Sequence, residues 1–274
     1  MKLEIKNLDI YFEIIGEGKP IIMLHGFYPD HRLMKGCMEP IFKNRRNYKR
    51  IYLDLPGMGM TKAKSWITNA DIMLDILIDF IEKISPHENF LIAAESYGGY
   101  LARGIIKRMP KRINGVLLIC PCIIANKKKR IIPTHLILEY NNIPYHNASA
   151  KDIDEYASMA VVQNIETWKR YQQEILCGLK IADNAFLTDF EKNGYEFSFD
   201  VDILDEKFES PTLFLLGRQD SCIGYKDAWR ILDNYPRGTF VVLDKAGHNL
   251  QIEQDGLFNS LVHDWLDRVE SMDI

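Results

Sequence analysis

The stretch Ala93-Ala94-Glu95-Ser96-Tyr97-Gly98-Gly99 decides the fold of this 274-residue chain. Apolar residues lead into it, which indicates a buried strand, and a helical apolar pattern leads out of it as far as Pro110. Ser96 is therefore predicted to stand on a sharp turn between a strand and a helix. Such a turn strains the serine backbone and requires small residues two positions before and after it. Ala94, in place of the usual glycine, and Gly98 meet that requirement.

Composition narrows the class of protein. A hydrophobic content of 47% and a charged content of 26% are typical of a soluble globular chain. The net charge of −4 gives no electrostatic reason to expect nucleic acid as a partner. The longest apolar run, 115–125, is interrupted by Pro121 and is too short to cross a membrane.

The N-terminus and the cysteines predict a cytoplasmic location. Residues 1–6 alternate charged and apolar side chains and lack the apolar core of a signal peptide. The five cysteines are an odd number without zinc-ligand spacing, so we expect reduced thiols and no metal. The sequence does not predict an oligomeric state.

Buried strands alternate with helical patterns along most of the chain. This rhythm predicts an α/β fold with a mostly parallel sheet. The helix predicted over 68–84 has Thr68 as its cap and Asp71 three residues later. The strands are expected at 2–6, 8–15, 21–24, 51–53, 90–94, 116–120, 212–216 and 239–243.

The rhythm stops between residues 122 and 205, where we find no clear buried strand. An amphipathic stripe that includes Trp168 and Tyr171 indicates helices there instead. We therefore expect a core formed by residues 1–121 and 206–274, with a helical cap, or lid, at 122–205.

Two further polar residues follow predicted strands. Asp220 comes after the strand at 212–216, and His248 lies in the loop after the strand at 239–243. Parallel sheets place their sites beyond the carboxyl ends of strands, so both are expected near Ser96. A serine hydroxyl needs a base, and the base needs an orienting acid. Asp54 is a rival acid, but it stands in a turn-rich segment.

At this point the chain resembles the α/β-hydrolase superfamily. The resemblance rests on five short motifs in the order of that superfamily, each at the expected strand end: His25-Gly26-Phe27, residues 54–59, the Ser96 turn, residues 217–220 and Gly247-His248. It implies an eight-stranded, mostly parallel sheet flanked by helices, with a helical lid and no cofactor.

The resemblance also implies roles for individual residues. Ser96 would be the nucleophile, His248 the general base and then acid, and Asp220 the group that fixes the imidazole tautomer. The backbone N–H groups of Phe27 and Tyr97 would form the oxyanion hole.

The leading hypothesis is a lidded serine hydrolase that cleaves a small, largely apolar carboxylic ester through an acyl-enzyme. Trp168 and Tyr171 are candidate substrate-binding residues, and packing within the lid is an equal alternative for them. Small molecules are the expected partners, without nucleic acid or membrane.

Other functions use the same fold. Carbon–carbon bond hydrolases and proline-type aminopeptidases share the triad, and an aminopeptidase needs lid carboxylates such as Asp152, Asp154 or Glu155 to hold a free amine. A non-catalytic small-molecule receptor is the alternative from another class, since fold alone does not decide function.

Overall fold

An eight-stranded sheet runs through the centre of the protein, and its strands follow one another in the order β1 (Lys2–Ile5), β2 (Leu8–Ile15), β4 (Tyr48–Leu53), β3 (Lys19–Leu24), β5 (Phe90–Glu95), β6 (Ile113–Ile119), β9 (Thr212–Gly217) and β10 (Gly238–Leu243). The computed structural model describes residues 1–145 and 148–272. The β1–β2 and β2–β4 pairs are antiparallel and the other neighbours are parallel, which confirms the predicted fold class.

Helices cover both faces of the sheet. The α-helices are α1 (His31–Phe42), α2 (Ala70–Ile84), α3 (Tyr97–Arg108), α4 (Ala150–Met159), α5 (Ile165–Tyr171), α6 (Cys177–Leu179), α7 (Asn184–Asn193), α8 (Leu250–Glu253) and α9 (Asp255–Glu270). A π-helical segment, Gln172–Leu176, joins α5 to α6. Among the described residues, no helix combines the length and apolar character that crossing a bilayer requires.

The central strand β5 is buried along its whole length, and its side chains alternate between two apolar clusters. Ile92 and Ala94 pack into the cluster that includes α2 and α3. Leu91 and Ala93 pack into the cluster that includes α1 and α9. Alternation with a period of two residues is what a strand between two helical layers requires. The sheet therefore holds the end of β5 rigidly between these layers.

The start of α2 differs from the prediction. Asn69, rather than Thr68, is the N-cap, and its side chain accepts a hydrogen bond of 3.0 Å from the backbone N–H of Ile72. Asp71 accepts a hydrogen bond from the backbone N–H of Ser198, which lies in the segment after α7. The prediction of Thr68 as cap was wrong because asparagine caps at least as well and sits one residue closer to the first turn.

Helices form most of the regular secondary structure in the described part of the segment between β6 and β9, in agreement with the helical pattern of the sequence. It also contains a pair of two-residue parallel strands, β7 (Glu139–Tyr140) and β8 (Val162–Gln163), which are too short to give an apolar pattern. The helical pattern predicted near residues 226–234 is a 3₁₀ helix, Lys226–Asn234. The boundaries of the predicted cap at 122 and 205 stay a prediction.

Candidate active site

Ser96 stands on the turn between β5 and α3. Its backbone angles are φ 51° and ψ −115°, and the positive φ is rare for a residue with a side chain. The turn is fastened to the end of β6: the N–H of Ser96 donates to the carbonyl of Ile119 at 3.0 Å, and its own carbonyl accepts from the N–H of Cys122 at 2.9 Å. The neighbouring strand therefore holds a strained backbone that positions the hydroxyl.

Steric contacts explain why the residues two positions before and after Ser96 are small. A Cβ atom added to Gly98 would lie 2.5 Å from the carbonyl oxygen of Leu24, a backbone atom at the end of β3. No side chain fits there unless the backbone moves. Ala94 pairs with Leu24 and with Leu118 in the sheet and is completely buried, so its methyl group is accommodated. Alanine in place of the usual glycine therefore leaves the turn intact.

The structure brings Ser96, His248 and Asp220 into one hydrogen-bonded chain. Nε2 of His248 lies 3.0 Å from Oγ of Ser96, and Nδ1 of His248 lies 2.9 Å from Oδ2 of Asp220. The other carboxylate oxygen of Asp220 accepts hydrogen bonds of 2.9 Å from the backbone N–H groups of Cys222 and Ile223. All three side chains are buried. Asp220 is therefore fixed on one side by backbone groups and orients the ring with its other oxygen.

The charges in this chain determine its pKa values. Burial opposes ionisation of Asp220, but the charge and hydrogen bond of His248, together with the two backbone N–H groups, lower the pKa of the carboxyl below its ordinary value. Burial likewise disfavours a charged ring, but Asp220, with the thiols of Cys222 and Cys120, raises the pKa of His248 well above 6.5. The arrangement thus favours an imidazolium beside an ionised carboxylate.

Glu95 is a site residue that the sequence reasoning missed. It is buried, and its Oε1 lies 3.3 Å from Nε2 of His248. Burial raises the pKa of Glu95 to about 7, although His248 and the N–H of Gly26 favour the charged form. The motif treats the residue before the serine as unspecified. The available signal was a carboxylate at the end of an otherwise apolar buried strand, where an unpartnered charge is costly.

The loop after β3 carries the predicted oxyanion-hole residue Phe27 close to Ser96. A Cβ atom added to Gly26 would lie 3.1 Å from Cβ of Ser96. His25 holds this loop because its Nδ1 bonds the Gly26 carbonyl at 2.7 Å and its Nε2 accepts from the N–H of Leu55 at 3.0 Å. In the described part of the chain, the backbone N–H groups of Phe27 and Tyr97 have no hydrogen-bond acceptor.

Asp54, the rival acid, belongs to a different cluster. It accepts hydrogen bonds from Nδ1 of His31 at 2.7 Å, from the N–H of His31 at 2.9 Å and from the N–H of Met60 at 2.8 Å. These bonds fix the turn after β4. Its position therefore agrees with a structural role rather than with that of the triad acid.

Two groups of side chains have ligand-type atoms within 4.8 Å of one another in the described residues: Cys120 with Asp220 and His248, and Asp30 with His31 and Asp54. In both groups the aspartates already accept hydrogen bonds from protein N–H groups. We assign neither group to a metal.

A cavity of about 640 Å³ opens above Ser96 and His248. Its wall is partly aromatic and aliphatic, and charged side chains lie among these residues. The apolar and aromatic lining residues are Phe27, Tyr28, Pro29, Leu33, Met159, Tyr171, Ile175, Leu179, Tyr195 and Ile223. The charged ones, besides Glu95, are Lys127, Arg130, Lys151, Asp154, Glu155 and Glu191.

The two predicted substrate-binding residues have different positions. Tyr171 lines the cavity, and its buried hydroxyl has no hydrogen-bond partner among the described residues. Trp168 is not among the described residues that line the cavity. It packs between Tyr145 and Tyr156, with ring centroids 5.2 and 5.0 Å away. The expectation that Trp168 contacts substrate is therefore corrected: on this helix Tyr171 faces the cavity and Trp168 faces the packed interior.

Glu253 links the loop of His248 to the segment between β6 and β9. Its carboxylate accepts hydrogen bonds from the N–H of Gly247 at 2.5 Å, of Val161 at 2.6 Å and of Val162 at 3.4 Å. Burial raises its pKa to about 7, against the effect of these three donors. One side chain therefore ties the residue before His248 to strand β8.

Comparisons with known proteins agree with this architecture. Residues 19–255 match the sequence pattern of the family described as serine aminopeptidase, S33. The crystal structure of an α/β superfamily hydrolase from Oenococcus oeni PSU-1 superposes with a TM-score of 0.89 at 33% identity, over 95% of this chain and 96% of that one.

Curated relatives are more distant. A pimeloyl-[acyl-carrier protein] methyl ester esterase of Legionella pneumophila (strain Paris) is 23% identical over 267 residues, which cover 94% of this chain and 100% of the relative. A 2-hydroxy-6-oxo-2,4-heptadienoate hydrolase of Pseudomonas putida is 24% identical over 267 residues, with 92% and 90% covered.

Proposed function

The chain belongs to the α/β-hydrolase superfamily and, within it, to the S33 family, and we propose a function on that basis. We infer that it is a serine hydrolase of small, largely apolar carboxylic esters. The observation that carries the proposal is the hydrogen-bonded chain Ser96–His248–Asp220 at the base of the 640 Å³ cavity. Each of its two contacts is 3.0 Å or shorter, within the range of a working nucleophile and base.

In this proposal, Oγ of Ser96 attacks the ester carbonyl while Nε2 of His248 takes its proton. Asp220 stays ionised and stabilises the imidazolium through Nδ1–H. The tetrahedral oxyanion accepts hydrogen bonds from the N–H groups of Phe27 and Tyr97, each worth about 2.7–4 kcal/mol of transition-state stabilisation. The imidazolium then protonates the leaving alcohol. Water, deprotonated by the same ring, cleaves the acyl-enzyme and restores Ser96.

The cavity supports the proposed substrate class. Its size suits a small-molecule ligand, and the aliphatic and aromatic part of its wall suits an apolar acyl chain. Tyr171 belongs to this wall, and its hydroxyl is buried rather than exposed in the cavity. The Legionella relative, a methyl ester esterase by name, also favours an ester with a small alcohol group.

A fluorophosphonate probe tests the nucleophile. We expect covalent labelling of the wild type and none of Ser96→Ala, together with hydrolysis of p-nitrophenyl esters by the wild type alone. A series of acyl chains of graded length then measures the preference. Equal labelling of both proteins would refute the assignment of Ser96.

A second candidate function has support from the cavity wall. Asp154 and Glu155 of α4 line the cavity, whereas Asp152 binds Lys180 and accepts a hydrogen bond from the backbone N–H of Ser149, the N-cap of α4. Two carboxylates of the lid could thus hold the free amine of an aminopeptidase substrate. Faster hydrolysis of amino-acid arylamides than of short aryl esters would favour this function, and faster cleavage of a vinylogous diketone would favour a carbon–carbon bond hydrolase.

Binding without turnover across ester, thioester, lactone and peptide panels would instead support a receptor.

The proposed domain division keeps residues 1–121 and 206–274 as the core and 122–205 as the lid. The cytoplasmic location stays a prediction from the N-terminal sequence and the cysteines.

A further inference from the structure

Glu95 contacts the catalytic ring on the same nitrogen that serves Ser96. Its Oε1 lies 3.3 Å from Nε2 of His248, and Oγ of Ser96 lies 3.0 Å from that atom. Asp220 holds the opposite nitrogen at 2.9 Å. The imidazole thus lies between two carboxyl groups, whereas the triad mechanism requires only one.

We propose that Glu95 is a second carboxylate partner of the catalytic imidazole. Glu95 keeps the proton on Nε2 in the resting enzyme and stabilises the imidazolium during the reaction. This inference rests on the proposed triad chemistry. Glu95 touches the nitrogen that transfers the proton, so its role is exerted at the reacting atoms.

The surroundings of Glu95 leave it few other partners. It is the last residue of β5, its exposed fraction is 2%, and a Cβ atom on Gly26 would lie 2.1 Å from its Oε2. This close packing, together with the N–H of Gly26, orients the carboxyl toward the ring of His248. A buried carboxylate without an opposite charge is costly, and the imidazolium is the charge that it meets here.

The other charged and titratable groups act on this pair from three sides. Asp220 follows β9, Cys120 follows β6, and Cys222 lies in the loop after Asp220; all three raise the pKa of His248. The charge of Asp220 also helps to raise the pKa of Glu95 to about 7. Glu253 lies beyond them and bonds Gly247 rather than the ring.

This geometry has opposite effects below and above the pH at which the ring of His248 loses its proton. While Nε2 carries a proton that both carboxylates stabilise, the ring cannot accept the proton of Ser96. That proton must first pass to solvent, so Glu95 moves the onset of activity to higher pH. Once the ring is neutral, the same carboxylate stabilises the imidazolium that forms in the transition state and accelerates the reaction.

The test compares wild type, Glu95→Gln and Glu95→Asp by the rate of fluorophosphonate labelling as a function of pH. A charge within about 4–6 Å moves a pKa by about 1–3 units. The acidic limb, which is the rise of the labelling rate on the acidic side of the pH profile, should therefore lie about 1–3 pH units lower in Glu95→Gln than in the wild type. At alkaline pH, Glu95→Gln should label about tenfold or more slowly, because the negative charge 3.3 Å from Nε2 of the imidazolium is lost. The two profiles therefore cross. Glu95→Asp, which keeps the charge, should retain a limb closer to that of the wild type.

A purely structural role of Glu95 would lower the rate of Glu95→Gln equally at every pH and leave the limb in place, and that result would overturn the proposal. So would an unchanged profile. Labelling reports on Ser96 and His248 whatever the substrate, so an error in the ester assignment appears separately, as labelling without ester hydrolysis.

If Glu95→Gln does not fold, the ring of His248 can be titrated in the wild type by ¹H–¹⁵N NMR. We expect its signals to respond near pH 7, as Glu95 ionises, and the ring itself to lose its proton well above pH 6.5. A single midpoint at or below pH 6.5 would overturn the proposal.

Discussion

Replacement of Ser96 by glycine should stabilise the protein relative to replacement by alanine. Both changes remove the hydroxyl and its 3.0 Å contact with His248, but alanine keeps the Cβ that makes φ 51° and ψ −115° unfavourable. Residues held in such sparsely populated regions cost of order 1–3 kcal/mol. Glycine adopts positive φ freely, although it loses about 0.5–1 kcal/mol more than alanine through the entropy of the unfolded chain.

The difference leaves Ser96→Gly more stable than Ser96→Ala by about 1 kcal/mol, within a range of about 0 to 2.5. Urea denaturation of both variants and of the wild type measures it. For a domain of this size the melting temperature should differ by about 2–4 °C. Ala94→Gly is the matched control, since Ala94 lies in the regular strand β5 and should lose about 0.5–1 kcal/mol. If Ser96→Gly were also less stable than Ser96→Ala by that amount, the turn would store no strain.

Three further changes test other parts of the site. Asp220→Asn should preserve folding and lower kcat by about 10⁴, because the amide no longer selects the tautomer of His248 that accepts the serine proton; ester hydrolysis measures this, and less than a tenfold loss would contradict the role. Gly98→Ala should reduce both labelling and stability, by roughly 1–3 kcal/mol in urea, since the new methyl group would meet the carbonyl of Leu24 at 2.5 Å; unchanged stability would contradict the steric argument. Glu253 has a pKa of about 7 in the folded protein against 4.5 ordinarily, so its contribution to stability is complete below pH 4.5 and is lost as pH rises through 7. Because the residue is partly exposed, we expect the free energy of unfolding to fall by about 1–3 kcal/mol through this group as the pH rises from 5 to 8. Glu253→Gln should remove that part of the decrease in urea titrations. An unaltered pH dependence would contradict this assignment.

The strands of the sheet could be predicted from the sequence because a buried strand is marked by its own run of apolar residues. The end of β5, the Ser96 turn and α3 follow from apolar periodicity and small residues, which depend on near neighbours along the chain. The positions of Asp220 and His248 after β9 and β10 follow from the rule that parallel strands end at one edge. Their proximity to Ser96 could therefore be predicted once β5, β9 and β10 were recognised as parallel strands of one sheet.

Other features depend on packing between distant segments and had no such signal. Glu95 lies against the ring of His248 only because Gly26 and His248 pack around it. Trp168 and Tyr171 belong to one amphipathic stripe, and only the tertiary packing places one in the interior and the other at the cavity. The choice of Asn69 over Thr68 as the cap of α2 is a difference of one residue between two good caps, which propensity does not resolve.

The separation of Ser96 and His248 along the chain has a consequence for biosynthesis. Ser96 and its supporting strand emerge from the ribosome early, but the imidazole it contacts lies 152 residues later and depends on β10, the last strand of the sheet. A polypeptide that ends before this strand lacks the proposed base of Ser96. In the proposed mechanism, hydrolysis therefore requires β10 and the loop that follows it to be in place.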